Sequence, residues 1–159
     1  MALITDDVHY QPNLPVFSAR RSTNGWTVIS NNGNKNNLIL NTTDINIGGH
    51  YNTSNYTFTA PRPGVYHFSA TVYARFAGDY LDTDSDYYNL YIDKNGASPP
   101  GTYYIAGYYN DGDYDMSSGF NATLELASND YVQLRISTAA TSGAEYYGAL
   151  CRFSGFFLG

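Results

Sequence analysis

The chain has 159 residues, a formal net charge of −6 and only 14% charged side chains, against about a quarter in an ordinary soluble domain. That acidic balance excludes the basic footprint of a nucleic-acid binder, and the length suits one domain whose core needs no disulfide staple. Asp makes up 12 of the 14 acids, Lys is limited to Lys35 and Lys94, and Tyr reaches 17; good helix formers are scarce and strand and turn formers abound, which excludes a helical bundle or a coiled coil.

Residues 1–14 carry no positive start followed by an apolar stretch, so no signal peptide is expected there, and the segment is expected to be a docking arm ahead of a domain spanning 15–159. Alternation of apolar and polar residues, the mark of a half-buried strand, then recurs to the end of the chain. Residues 15–19 open it. An Asn-rich run at 31–37 reads as a turn, followed by strand candidates at 38–41, 45–51 and 56–60. Pro61-Arg62-Pro63-Gly64 forces a turn through fixed φ angles and a missing donor.

Residues 65–76 form the longest candidate strand. Tyr66, Phe68, Ala70, Val72, Ala74 and Phe76 lie on its core face, and Val65, His67, Ser69, Thr71, Tyr73 and Arg75 on a mixed face. A strand at 86–93 ends in Lys94-Asn95-Gly96, a hairpin signal. The segment 102–109 is rich in Tyr. Strands at 120–126 and 132–136 flank a turn at Ser128-Asn129-Asp130. The last strand, 149–158, has apolar residues on both faces: Leu150, Phe156 and Leu158 on one, Cys151, Phe153 and Phe157 on the other. In a chain without helices, such two-sided cover points to a second subunit. About ten short strands with turns between them predict an all-β jelly-roll sandwich.

The chemistry-bearing residues give little sign of catalysis. His9, His50 and His67 are isolated, with no metal-ligand spacing among them, and the lone Cys151 in a buried strand reads as packing. No apolar run is long enough to cross a bilayer. Asp82, Asp84 and Asp86 alternate, and Asp93 falls where a twelve-residue calcium loop would place its last ligand, but Tyr87 occupies the position that needs Gly. Asp111, Asp113 and Asp115 around Gly112 form a candidate Ca²⁺ site; a solvated turn without cofactor is the favoured reading of both clusters. Ten of the Tyr fall between Tyr73 and Tyr114. Tyr combines an apolar ring with a polar tip and suits wet interfaces and sugar stacking. Tyr87, Tyr88, Tyr103, Tyr104, Tyr108 and Tyr109 are therefore a candidate contact surface, with ordinary strand filling as the alternative.

The ordered segments Pro15-Val-Phe-Ser-Ala19, Ile47-Gly-Gly-His-Tyr51, Tyr56-Thr-Phe-Thr-Ala-Pro61, Pro63-Gly-Val-Tyr-His-Phe68, Lys94-Asn-Gly96, Leu124-Glu-Leu126, Asp130-Tyr-Val-Gln-Leu134 and Phe153-Ser-Gly-Phe-Phe-Leu158 resemble the globular domain of complement C1q, within the tumour-necrosis-factor-like superfamily. The resemblance implies a ten-stranded jelly roll assembled as a homotrimer, a binding or structural module rather than an enzyme. It sets the 65–76 and C-terminal strands at the trimer contact, with His67, Thr71, Tyr73, Phe153 and Phe157 as interface candidates. No Gly-X-Y stalk is seen, and the Asn/Tyr/Thr/Asp-rich, Lys-poor composition resembles viral β-structured appendages. The expected setting is a bacteriophage virion: a fibre tip, tail appendage or capsid decoration contacting other virion proteins or a host glycan or protein, with no nucleic-acid partner and no membrane insertion. The alternative is a free secreted or cell-surface recognition module for protein or carbohydrate.

Overall fold

The computed structural model describes residues 14–30, 34–76, 87–99, 103–106, 116–139 and 143–159. Thirteen strands occur among them: β1 (Val16–Arg20), β2 (Trp26–Ile29), β3 (Asn36–Asn37), β4 (Thr42–Ile47), β5 (Tyr51–Asn52), β6 (Thr57–Thr59), β7 (Gly64–Phe76), β8 (Tyr88–Lys94), β9 (Tyr103–Ala106), β10 (Met116–Leu126), β11 (Tyr131–Thr138), β12 (Ala144–Tyr147) and β13 (Arg152–Phe157). They form two antiparallel sheets. The larger runs β2-β12-β7-β13-β1-β4, with β10 on the other edge of β7; the smaller runs β5-β6-β11-β8-β9, with β3 also on β11. This is the predicted sandwich.

The alternation in β7 predicts its faces correctly. Every even residue from Tyr66 to Phe76 is buried and the odd ones point outward, as a period of two requires. Tyr51, Phe58, Phe68 and Phe153 meet around Phe17 between the sheets, with Tyr66 against Phe58 and Phe68. Phe17 stacks on Tyr51 and Phe58 at 4.9 and 5.0 Å and meets Phe153 edge-on at 5.1 Å. Gly155 leaves the room for this packing: a Cβ there would stand 2.6 Å from the Phe68 ring and 2.8 Å from that of Phe17.

β3 lies inside the 31–37 run that reads as a turn, the candidate at 38–41 forms no strand, and two further strands, β2 and β12, have no counterpart among the sequence expectations. They are four residues each and too short to display a period. β12 continues the line of β13 along one edge of β7, Tyr146 facing Ala74 and Arg152 facing Thr71. A 3-10 turn at Gly148–Leu150 separates the two, so the C-terminal strand begins at Arg152, not at 149.

The turns follow their chemistry. Asn95 and Gly96 take φ values of 51° and 82°, the mirror-image turn that matches strand twist in a two-residue hairpin. The Asp130 carboxylate accepts bonds from Asn95 Nδ2 and the Ala127 amide, both at 2.8 Å, and pairs with Lys94 at 2.9 Å. These donors pull its pKa down to about 2, the Asn95 bond contributing most. Asp93, considered above as a calcium-loop end, is fully buried and paired with Lys35 at 3.0 Å.

Candidate functional site

The outer face of the larger sheet is built in rows. Antiparallel register sets Ile47, Val16, Phe156, His67 and Thr123 side by side across β4, β1, β13, β7 and β10. The next row on this face is Ile45, Ser18, Ser154, Ser69 and Asn121. Beyond it stand Arg20, Arg152, Thr71 and Gly119. One end of the face is thus apolar, the middle carries small polar groups, and the far end is charged.

The apolar end is open to solvent in the free chain. Ile47, Val65, Phe156 and Leu158, with Ile45 of the next row beside them, are between 38% and 55% exposed. Leu158 is tied to Val65 through its amide, which donates to the Val65 carbonyl at 2.8 Å, so Val65 and Leu158 extend the row at the rim. A lone exposed Leu needs no explanation, but a contiguous apolar row on one sheet face is a contact signal.

The charged end is internally satisfied. Asp44 accepts from Arg20 Nε at 2.8 Å and from Arg152 Nη1 at 2.7 Å. The two guanidiniums hold its carboxyl below the ordinary carboxylate range, the Arg20 bond contributing most. Further along β7, Tyr73, Tyr147 and Trp26 cluster, with Trp26 to Tyr73 at 5.8 Å and Trp26 to Tyr147 at 5.2 Å. The Arg75 guanidinium lies 3.9 Å over the Trp26 ring and is held by Glu145 at 2.9 Å.

The expected interface residues divide accordingly. His67, Thr71 and Tyr73 are together on this outer face. Phe153 is not: it is fully buried between the sheets, and a side chain with no surface cannot meet a neighbour. Phe157 is half-buried at the rim, edge-on to Tyr66 at 5.1 Å with Arg62 4.0 Å over its ring. The strand turns Phe156 outward instead. The signal for this was its shared parity with Arg152 and Ser154, while Cys151, Phe153 and Gly155 alternate inward. Ile45 and Ile47, two apart in a polar segment, carry the same signal.

Of the Tyr contact candidates, Tyr87 is exposed, whereas Tyr88 is fully buried and donates its hydroxyl to Ser118 Oγ at 2.8 Å, which corrects its assignment to a surface. Tyr103 and Tyr104 lie in β9, the edge strand of the smaller sheet, opposite Tyr91 and Leu90. Tyr108, Tyr109, Asp111, Asp113 and Asp115 fall outside the described residues. Among the described residues no three His, Cys, Asp or Glu side chains are grouped so as to hold a metal ion. Cys151 is buried beneath β7, and burial pushes its thiol up to about 11; such a thiol is protonated at neutral pH and is a poor nucleophile.

Comparison with known proteins gives the fold a family. The C1q domain family model matches residues 16–158, and the chain belongs to that family. Among solved structures, the globular domain of the zebrafish complement 1qA protein superposes with a TM-score of 0.65 at 16% identity, covering 92% of this chain and 98% of that one. The Eiger TNF from S. frugiperda superposes with a TM-score of 0.59 at 12% identity, covering 92% and 94%. No curated protein sequence matches the chain. Domains of this family are typically non-catalytic binding modules and commonly form homotrimers.

Proposed function

We propose that this C1q-domain chain is a non-enzymatic homotrimeric binding and structural module whose copies meet through the outer face of the larger sheet. The observation that carries the reading is the outward row of Ile47, Val16, Phe156 and His67, extended by Val65 and Leu158, in which Ile47, Phe156, Val65 and Leu158 are exposed and Val16 and His67 half-buried. A contact in which the row of one copy meets a different surface of the next is heterologous and closes as a ring. A ring of three buries the row in every copy, with the ion-paired Arg20–Asp44–Arg152 group outside the apolar part of the contact.

The same reading extends to the setting. A chain with 14% charged residues suits a surface largely covered by neighbours, as in a virion appendage. The exposed Tyr87, next to the smaller sheet, is then a group left to meet another particle protein or a host glycan.

Sedimentation at micromolar concentration and pH 8 tests the assembly. The expected mass is three times the 17.6 kDa of one chain; a mass near 17.6 kDa overturns the reading. For the setting, recovery of the chain in fixed ratio from purified particles is the expected result. Recovery only as free protein in the medium overturns the virion role and leaves a free recognition module.

A further inference from the structure

His67 is the titratable member of the apolar row. On one side its ring centroid lies 5.3 Å from that of Phe156. On the other, Nδ1 is 3.3 Å from Thr123 Oγ1, a neutral hydroxyl able to serve either tautomer. The groups facing it can be named strand by strand. From β13 they are Ser154 and Phe156, with Leu158 just past its end, none of which titrates. Along β7 they are Val65 and Ser69. From β10 they are Asn121, Thr123 and, one pair nearer the rim, Glu125 opposite Val65. Among the described ion pairs no carboxylate is joined to His67.

In the free chain the half-buried ring still reaches water. Covering the row with a second copy removes that water and leaves the ring between Phe156 and the Thr123 hydroxyl. A neutral imidazole with a hydroxyl partner tolerates this. An imidazolium is penalised, because desolvation disfavours the charged form and none of the described ion pairs joins a carboxylate to it.

We propose that His67 makes assembly through this face proton-sensitive: the copies associate with neutral imidazoles in the contact and separate when these are protonated. The inference rests on the trimeric reading above and adds its regulation. The sign is fixed by linkage. The assembled form binds fewer protons per chain than the separated form, so association weakens as pH falls. Imidazole is the side chain whose ordinary titration lies between pH 5 and 8, and a ring of three copies couples three such events.

The test is sedimentation of the whole chain from pH 8 to pH 5, with circular dichroism to follow folding, on the wild type and on His67→Gln and His67→Leu. The wild type is expected to be three chains at pH 8 and to move toward one folded chain at pH 5, its dissociation constant rising by about tenfold or more. Either variant that folds is expected to remain assembled at pH 5. Substituting His9 and His50 by Gln is expected to leave the wild-type pH response in place. A wild type that stays trimeric at pH 5 overturns the proton sensitivity while the trimer stands. So does a folded His67 variant that separates in acid as the wild type does. A single chain already at pH 8 overturns both readings together.

Discussion

Phe153 and Phe156 stand three residues apart in one strand and meet opposite surroundings. Phe153 is fully buried and Phe156 is 42% exposed. The first joins Phe17 and Phe68, at 5.1 and 5.8 Å, in the aromatic layer between the sheets; the second stands beside His67 on the outside. An odd spacing on a strand puts two residues on opposite faces, and identical side chains then serve different purposes. The inner face holds the chain folded, and the outer face offers the chain to another copy.

Substituting the two phenylalanines separates these purposes. Phe153→Ala opens a cavity in the aromatic layer and is expected to lower unfolding stability by about 3–5 kcal/mol in urea denaturation. Phe156→Ser is expected to leave the folded chain near its original stability and to reduce the sedimenting mass to that of one chain. If Phe156→Ser unfolds the protein while Phe153→Ala does not, the assignment of faces is wrong.

Gly155 sharpens the inner half of the comparison. It lies between the two phenylalanines in sequence and points inward, where an added methyl would press on Phe68 and Phe17. Gly155→Ala is expected to cost about 1–3 kcal/mol by overpacking, less than the Phe153 cavity, with the trimer retained by whatever fraction folds. A stability equal to wild type would mean that the aromatic layer has slack.

Much of this was legible in the sequence because period-two alternation is a direct image of a sheet with one dry face. The long β7 displays six inward positions in a row, so its faces, its length and its place in the fold follow from the residues. The Asn95-Gly96 turn is equally legible, since few residues accept two successive positive φ angles. The outer face was harder. In β13 both faces carry aromatic residues, so hydrophobicity alone could not choose between Phe153 and Phe156, and only the parity of Arg152 and Ser154 separates them. Tyr adds a second ambiguity. Tyr51, Tyr66, Tyr88 and Tyr146 are buried, and the hydroxyls of Tyr51 and Tyr66 donate to the Leu40 and Arg62 carbonyls at 3.1 and 2.8 Å. A Tyr whose tip finds a buried acceptor is a core residue, and that acceptor belongs to the fold rather than to the local sequence. Part of the Tyr excess is therefore core, not contact surface.

The smallest expected effect lies at the charged end of the outer face. Asp44 joins Arg20 and Arg152 across β4, β1 and β13, yet all three side chains are substantially open to water, where such pairs contribute little. Its lowered carboxyl pKa means that the folded form binds protons less readily than the unfolded form. Any stabilisation from this group is then fully present above the ordinary carboxylate range and is lost as pH falls through that range toward the lowered value. Asp44→Asn is expected to shift the thermal midpoint by no more than about 2 °C at pH 7, and the small difference from wild type is expected to vanish once the pH is below the lowered value. A loss comparable to that of Phe153→Ala would place this end of the face among the elements that hold the fold and would break the division between the two sides of the sheet.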